Sequence, residues 1–189
     1  MSETKVVKEQ KFKLSVKEMV YIAMFAVIIA VCSWISIPTT VPFTLQTFGI
    51  FCAVGMLGGK RGTLSVLVYI LLGAVGIPVF AGFSHGIGAL LGATGGYIIG
   101  FLFLALAYWV LTSAFGEKLP VMVAAMVLGL ILCYAFGTVW FMIVYTKNNE
   151  AIGLWTALTW CVFPFIIPDL LKMALAILLT KRVGKYVKL

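Results

Sequence analysis

Long apolar stretches dominate this chain, and only eight charged residues fall between residues 19 and 180. The chain is 63% hydrophobic and 11% charged, whereas soluble domains are about 45–50% apolar and about 25% charged. A helix needs about 20 residues to cross about 30 Å of hydrocarbon. Cutting the apolar stretches at charges, prolines and glycines predicts six helices, at 18–37, 43–59, 63–77, 87–114, 120–145 and 152–181. We therefore expect an all-α integral membrane protein, a compact bundle of six transmembrane helices in a lipid bilayer.

Basic residues are unevenly divided between the two sides of this predicted bundle. Twelve of the fourteen lysines and arginines lie at the two ends of the chain or in the loops on one side, whereas the loops on the other side hold only Lys147. Positive residues accumulate on the cytoplasmic side, so both termini are expected there. The predicted organisation is a basic segment 1–17, a six-helix domain 18–181 and a basic tail 182–189. Because membrane orientation accounts for the net charge of +8, no nucleic-acid partner is expected.

The sixth apolar stretch contains two charged residues where lipid is expected. Asp169 and Lys172 are three residues apart, so they share one face of a helix. The two prolines before them, Pro164 and Pro168, remove backbone donors from the interior of a helix. We therefore expect the stretch to break into an outer piece near 152–162 and a half-length helix that starts at about Pro168, with Asp169 near its positive end.

Two roles are open to Asp169 and Lys172. A charge at the centre of a membrane costs about 2.5–3.5 kcal/mol, and an exposed pair at this spacing recovers only about 0.2–0.5 kcal/mol. A purely structural pair is therefore an expensive way to hold one helix. We favour a ligand pocket near the outer face, in which the two groups also pair with each other when the site is empty.

Other patterns allow both a binding role and a packing role. Thr44 and Gln46 are polar at the outer end of the second span, and such side chains also join neighbouring helices. Glycines recur at 88, 92, 96 and 100, which predicts a groove along one helical face for close helix packing. Small residues at 23, 26 and 30 form a stripe on the first helix, which either packs inside the bundle or contacts another membrane protein.

Catalytic and metal-binding patterns are missing from the sequence. His85 is the single histidine, and the four cysteines stand apart from one another in apolar surroundings, so neither a metal nor another cofactor is expected. Lys60 follows two glycines, but the spacing does not match the GxxxxGK[ST] phosphate loop. We therefore do not expect an enzyme, and we do not expect the chain to hydrolyse ATP.

Four segments together resemble the BioY family, the biotin-capturing membrane subunits of energy-coupling-factor (ECF) transporters. They are VPFTLQTF at 41–48, GIPVFAGF at 76–83, LLGATGGYIIGF at 90–101 and FPFIIPDLLKMALA at 163–176. The resemblance runs from the first span to the last. One departure is Ala93, where the family is expected to have proline before TGGY.

The resemblance implies high-affinity biotin binding in a multi-pass protein of a prokaryotic plasma membrane. It also implies separate partners, namely a transmembrane coupling protein and two ATP-binding cassette ATPase subunits, and it makes Ala23, Ala26 and Ala30 the docking face for the coupling protein. In the pocket, Asp169 is expected to accept from the ureido N–H groups, and Lys172 to meet either the carboxylate or the ureido carbonyl. The remaining pocket residues that the resemblance implies are Gln46, Thr44, Ser84 and Tyr97. Because pockets combine an apolar lining with a few polar groups, we also expect Phe43, Trp160 and Tyr97 to form walls around the ring.

Three alternatives remain open at this stage. A subunit of the same kind could capture another vitamin, such as thiamine or niacin. A carrier that works alone could use Asp169 as a proton site. A small membrane enzyme with Asp169 as its base fits least well, because no nucleophile is found with it.

Overall fold

A computed structural model describes residues 14–39, 41–148 and 151–183 of the chain. These residues form seven α-helices and one pair of two-residue strands: α1 Val16–Trp34, β1 Ser36–Ile37, β2 Phe43–Thr44, α2 Gln46–Ala74, α3 Gly86–Leu91, α4 Gly95–Phe115, α5 Leu119–Asn148, α6 Leu154–Cys161 and α7 Phe163–Val183. Five helical runs are long and apolar enough to cross a membrane, with α6 and α7 counted as one run. The predicted all-α membrane fold is confirmed. Most of the predicted basic segments 1–17 and 182–189 lie outside the described residues.

Helix α2 is a hairpin of two antiparallel helices. Its backbone leaves helical geometry at Gly58, where φ is +77°, a conformation that favours glycine. Gln46 and Tyr69 would be about 34 Å apart in a straight helix, yet their side chains are hydrogen-bonded at 2.5 Å. A Cβ on Gly62 would lie 2.5 Å from the Cα of Val54, so the two halves are in close contact. They correspond to the second and third predicted spans, so the bundle contains six apolar helical segments of the predicted kind.

Lys60, Arg61 and Lys118 lie at one end of the bundle, which we call the basic end. Arg61 lies 2.6 Å from Glu18 at the start of α1. A Cβ on Gly58 would lie 3.0 Å from Oε1 of Glu117, so the α4–α5 connection is at this end too. The opposite end, the cavity end, contains β1, β2, the connection 75–85 and α3.

The connection 75–85 is attached to the last turn of α1. The indole Nε1 of Trp34 donates to the carbonyl of Pro78 at 2.8 Å, and the Ser33 hydroxyl donates to the carbonyl of Val79. The Phe80 side chain is fully buried. These contacts hold the connection over the cavity end of the bundle.

The predicted fourth span, 87–114, is broken in two. Residues 92–94 separate α3 from α4, so the break forms with Ala93 in place of the proline expected there. The glycine repeat therefore does not follow one helical face, which corrects the prediction. Gly96 and Gly100 lie against Trp140 and Cys133 of α5, whereas a Cβ on Gly88 would meet no atom within 4 Å.

Candidate functional site

Asp169 and Lys172 form a buried ion pair on α7. The Lys172 Nζ lies 2.8 Å from Oδ1 of Asp169, and Lys172 and Asp169 are 6% and 2% exposed, respectively. A buried charge is costly unless it is paired and hydrogen-bonded, so the remaining contacts of these two groups determine what the pair can do.

The ammonium of Lys172 is held by β2 and the start of α2. Its Nζ donates to the carbonyl oxygen of Thr44 at 2.6 Å and to Oγ1 of Thr47 at 3.2 Å, in addition to Asp169. It also lies 4.4 Å from the centre of the Phe43 ring, a distance at which the ring face attracts a cation. The three donors of the ammonium therefore have three acceptors within the protein.

The carboxylate of Asp169 is held from two other helices. Thr47 of α2 donates to Oδ1 at 2.8 Å, and the hydroxyl of Tyr134 of α5 donates to Oδ2 at 2.6 Å. With Lys172, this makes three donors for a group with about four acceptor positions. One acceptor position remains, and it is on Oδ2.

The start of α7 differs from the prediction made for it. The helix begins at Phe163, after Val162 leaves helical geometry with φ −125° and ψ −57°. Pro164 lies in the first turn, where its missing N–H would be unsatisfied in any case, and Pro168 lies inside the helix. A helix that starts at Pro168 is therefore wrong, and Asp169 lies in the second turn of a full-length helix.

Gln46 and Thr44 belong to a second hydrogen-bonded group beside the ion pair. The Thr44 hydroxyl donates to Oε1 of Gln46 at 3.1 Å and accepts from the Gln46 backbone N–H at 3.2 Å. Nε2 of Gln46 donates to the Tyr69 hydroxyl at 2.5 Å. Because Lys172 binds the carbonyl of Thr44, the amide and the ion pair lie on one polar wall.

This polar wall faces a cavity of about 160 Å³. The cavity is lined by residues from the β2–α2 segment, the connection 75–85 and helices α4 to α7, so every part of the cavity end except α1, β1 and α3 contributes. The lining residues are Val41, Pro42, Thr44, Gln46, Thr47, Phe80, Ala81, Ser84, Thr94, Tyr97, Ile98, Phe101, Cys133, Tyr134, Cys161, Phe165, Asp169 and Lys172. A mostly apolar wall with a few grouped polar side chains is typical of small-molecule sites.

Most of the predicted pocket residues come together around this cavity. Asp169, Lys172, Gln46, Thr44, Ser84 and Tyr97 all line it. The Phe43 ring lies behind the lining, between Lys172 and Phe165, with its centre 5.8 Å from the centre of the Phe165 ring. These positions agree with a pocket, but they do not test which ligand it binds.

Trp160 does not line the cavity, which corrects the wall role predicted for it. Its side chain is 42% exposed and packs edge-on against Tyr145, with the ring centres 6.1 Å apart. The next residue on α6, Cys161, lines the cavity instead. A change of one position on a helix turns a side chain by about 100°, which explains the error.

Sequence reasoning did not identify Thr47, Tyr134 and Phe165 as pocket residues. Thr47 lies one helical position after Gln46 in the polar segment already recognised, so its polarity was the available signal. Tyr134 is 35 residues from Asp169 and is surrounded by apolar residues. No local pattern marks it, since only the packing of α5 against the other helices brings it to the carboxylate.

The alanine stripe on α1 is mostly internal. Ala26 and Ala30 are 1% and 4% exposed and belong to the hydrophobic core, whereas Ala23 is exposed. A Cβ on Gly49 of α2 would lie 3.2 Å from the Cα of Ile29, so α1 and α2 are in close contact beside this stripe. Two of the three alanines in the predicted docking face are therefore covered in this structure, and Ala23 is the exposed one. The docking role stays a prediction.

Three comparisons relate this chain to known proteins. The family model described as BioY matches residues 5–189. A protein of Thermotoga maritima named biotin transporter BioY is 38% identical over 170 residues, which cover 89% of this chain and 96% of that protein. A Rhodobacter capsulatus protein of the same name is 35% identical over 176 residues, or 87% of this chain and 92% of that protein.

A solved structure shares the fold. It is a crystal structure of the S-component for biotin from an ECF-type ABC transporter, with a TM-score of 0.76 and 31% sequence identity. The match covers 90% of this chain and 92% of the other. The similarity therefore includes the helices that form the cavity as well as those of the basic end.

Proposed function

This chain belongs to the BioY family, and from that membership we propose that it is the biotin-binding membrane subunit, or S component, of an ECF-type vitamin transporter. The observation that carries the proposal is the buried Asp169–Lys172 pair on the wall of a cavity of suitable chemistry. Its relatives are named as biotin transporters, and the solved protein that shares its fold is an S-component for biotin.

The cavity complements the chemistry of biotin. Biotin has a polar ureido ring, an apolar thioether ring and a carboxylate on an aliphatic tail. Asp169 and Gln46 provide polar partners for the ureido ring, while Ile98, Phe101 and Phe165 provide apolar area for the thioether ring and the tail. A pocket that buries apolar surface and places a few polar groups around it gains both affinity and specificity.

The ion pair also has a structural role in the empty site. Its two members compensate each other's charge, and they bind β2, α2 and α5 through Thr44, Thr47 and Tyr134, respectively. This arrangement keeps two buried charges compensated before a ligand arrives. We propose that the ligand uses the acceptor position left on Asp169 and does not replace the pair.

The proposed partners are a transmembrane coupling protein and two ATPase subunits, which would supply the energy for transport. We propose that Ala23 and the exposed face of α1 around it contribute to the contact with the coupling protein. The proposed location is a prokaryotic plasma membrane, with both termini and the basic end on the cytoplasmic side. This orientation places the cavity near the outer face, where a vitamin would be captured.

Binding of tritiated biotin to the purified full-length chain tests this function. We expect saturable binding that unlabelled biotin displaces, and that thiamine and niacin do not displace at the same concentrations. Displacement by either of those vitamins in place of biotin would contradict the biotin assignment. Uptake of biotin by this chain in vesicles without ATPase subunits, abolished by an uncoupler, would instead favour a proton-coupled carrier.

A further inference from the structure

The hydrogen-bonding capacity that remains on the polar wall indicates which part of a ligand it can accept. Lys172 has no hydrogen-bond donor left for a ligand. Its three donors are taken by the Thr44 carbonyl, Thr47 and Asp169, so a ligand carboxylate could bind Lys172 only by displacing one of these partners. A lysine in this state is poorly prepared to bind an anion.

Asp169 has one acceptor position left for a ligand, and Gln46 has one N–H donor left. Oδ2 of Asp169 accepts from Tyr134 and has room for one more donor. Nε2 of Gln46 has two N–H groups, of which one donates to Tyr69. If the Gln46 amide is turned over, Nε2 donates to Thr44 instead, and one N–H is still left.

One acceptor and one donor together match a group that carries an N–H beside a C=O. A ureido ring has this arrangement, since each N–H is bonded to the carbonyl carbon. A carboxylate has no proton to give to Oδ2 of Asp169, and its negative charge would face that of the aspartate. The polar wall containing Asp169 and Gln46 is therefore suited to the ureido ring and unsuited to the carboxylate.

The rest of the cavity offers the carboxylate no cation. Among the described residues that line the cavity, Lys172 is the one with a positive charge. The lining side chains with hydroxyl groups on the connection 75–85 and at the start of α4 are Ser84, Thr94 and Tyr97, and all three are neutral. The Ser84 hydroxyl donates to the Ala81 carbonyl at 2.8 Å, and the Tyr97 hydroxyl pairs with Thr138 at 3.0 Å. A neutral hydroxyl can donate to an amide or ester carbonyl oxygen as well as to a carboxylate oxygen, and it provides no positive charge to favour the carboxylate.

We infer that this site recognises cyclic ureas by the ureido ring alone, and that it accepts biotin derivatives with uncharged tails, such as amides and esters, as well as biotin itself. The inference rests on the proposed function and narrows it to a substrate class. It assigns the ureido N–H to Asp169 and the ureido carbonyl to Gln46. The tail then extends toward Ser84 and Thr94, with no ion pair to the protein.

Equilibrium binding of four compounds to the purified full-length chain tests the inference. They are biotin, biotinamide, biotin methyl ester, and a biotin methylated at both ureido nitrogens. We expect the amide and the ester to bind within about threefold of biotin. The doubly methylated compound, which has no N–H for Asp169, should bind at least 100-fold more weakly.

Two variants sharpen the result. Gln46→Glu removes the remaining N–H donor, so biotin and biotinamide should both weaken by at least 30-fold while the ratio of their affinities stays near one. Lys147→Gln removes a positive charge from the last turn of α5. The ratio of the biotin and biotinamide affinities should again stay within threefold of one. A biotinamide affinity that approaches that of biotin only in Lys147→Gln would overturn the inference, because Lys147 would then pair with the carboxylate.

The outcomes separate this inference from the proposed function. If biotin binds the wild-type chain and biotinamide binds more than 30-fold more weakly, a cation pairs with the carboxylate and the inference is wrong, although the proposed function stands. If neither compound binds, the proposed function fails and the inference fails with it. The wild-type ligand series gives this answer even if Gln46→Glu does not fold.

Discussion

The two ends of this bundle are built from the same closely packed apolar helices, but the cavity end also surrounds an open volume. At the basic end, glycines let helices approach until no space is left: a Cβ on Gly59 would overlap Trp109, and one on Gly55 would lie 2.5 Å from the Thr180 hydroxyl. At the cavity end, large side chains such as Phe101 and Phe165 surround an open volume. Glycines allow close contacts at the cavity end as well, where a Cβ on Gly137 would overlap the Tyr97 ring. The cavity is therefore a local opening between closely packed helices.

Each end also has an ion pair, and the two pairs differ in their surroundings. Arg61 and Glu18 are joined at 2.6 Å at the basic end, but their side chains are 29% and 19% exposed. Asp169 and Lys172 are almost completely buried and hydrogen-bonded to β2, α2 and α5. Water screens the attraction within an exposed pair, which therefore contributes little to stability, so the comparison predicts unequal effects when each pair is broken.

The largest effect is expected from breaking the buried pair. Asp169→Ala or Lys172→Ala leaves one buried charge without its partner, which destabilises a protein by about 3–5 kcal/mol. We expect a lower midpoint of thermal unfolding, measured in detergent, and a loss of biotin affinity of at least about 100-fold. The double variant Asp169→Asn with Lys172→Gln removes both charges at similar volume, so it should fold and still fail to bind.

The exposed pair provides the matched control. Glu18→Gln with Arg61→Gln should change the unfolding midpoint slightly and leave biotin affinity within about twofold of wild type. If this variant loses as much affinity as the Asp169 variant, the two ends are coupled and the contrast drawn between them is incorrect.

The next effect in size concerns the glycines of the basic end. Gly62→Ala places a methyl group against the backbone of Val54, and overpacking of this kind costs about 1–3 kcal/mol. We expect reduced yield and a lower unfolding midpoint, with the biotin affinity of the folded fraction retained. Gly88→Ala is the control, because a Cβ there meets open space and alanine favours helix over glycine. Equal destabilisation by both substitutions would contradict the close packing described for the basic end.

A smaller effect is expected from single hydroxyl groups. Tyr134→Phe removes a hydrogen bond to the Asp169 carboxylate, and a bond to a charged group contributes about 1.5–3 kcal/mol. Biotin affinity should fall by about tenfold in equilibrium binding. Tyr108→Phe is the matched change away from the cavity, since the buried Tyr108 hydroxyl has no hydrogen-bond partner among the described residues. Its removal should leave affinity unchanged and stability equal or higher.

The smallest effect is expected at Trp160. The ring lies outside the cavity lining and is 42% exposed, so Trp160→Phe should leave biotin affinity within about twofold. Phe165→Leu, which changes an aromatic side chain on the cavity wall, is the comparison and should weaken binding measurably. A larger loss of biotin affinity in Trp160→Phe than in Phe165→Leu would show that Trp160 contributes to the pocket.

The fold was largely predictable from sequence because lipid imposes strict rules on a chain. Apolar helix length identifies six segments, and the charges at the turn between the second and third segments mark the reversal at Gly58. The breaks were harder to place. Pro168 lies inside α7 and does not end the helix, although it removes one backbone donor. Residues 92–94 interrupt a helix without any proline, so neither result follows from the positions of the prolines.

The site was predictable to the extent that its residues are unusual for a membrane. Asp169, Lys172 and Gln46 stand out because polar groups are costly in lipid. Tyr134 and Phe165 look like ordinary core residues, and their role depends on how α5 and α7 pack. The role of the alanine stripe was not predictable, because a stripe of small residues has the same spacing whether it faces a partner or the interior, and Ala26 and Ala30 are buried here.

The most direct test of the account is a crystal structure of this chain with biotin bound. We expect biotin in the cavity at the cavity end, with a ureido nitrogen about 3 Å from Oδ2 of Asp169 and the Asp169–Lys172 pair intact. Biotin bound elsewhere on the molecule, with the wall of Asp169, Lys172 and Gln46 untouched, would contradict it.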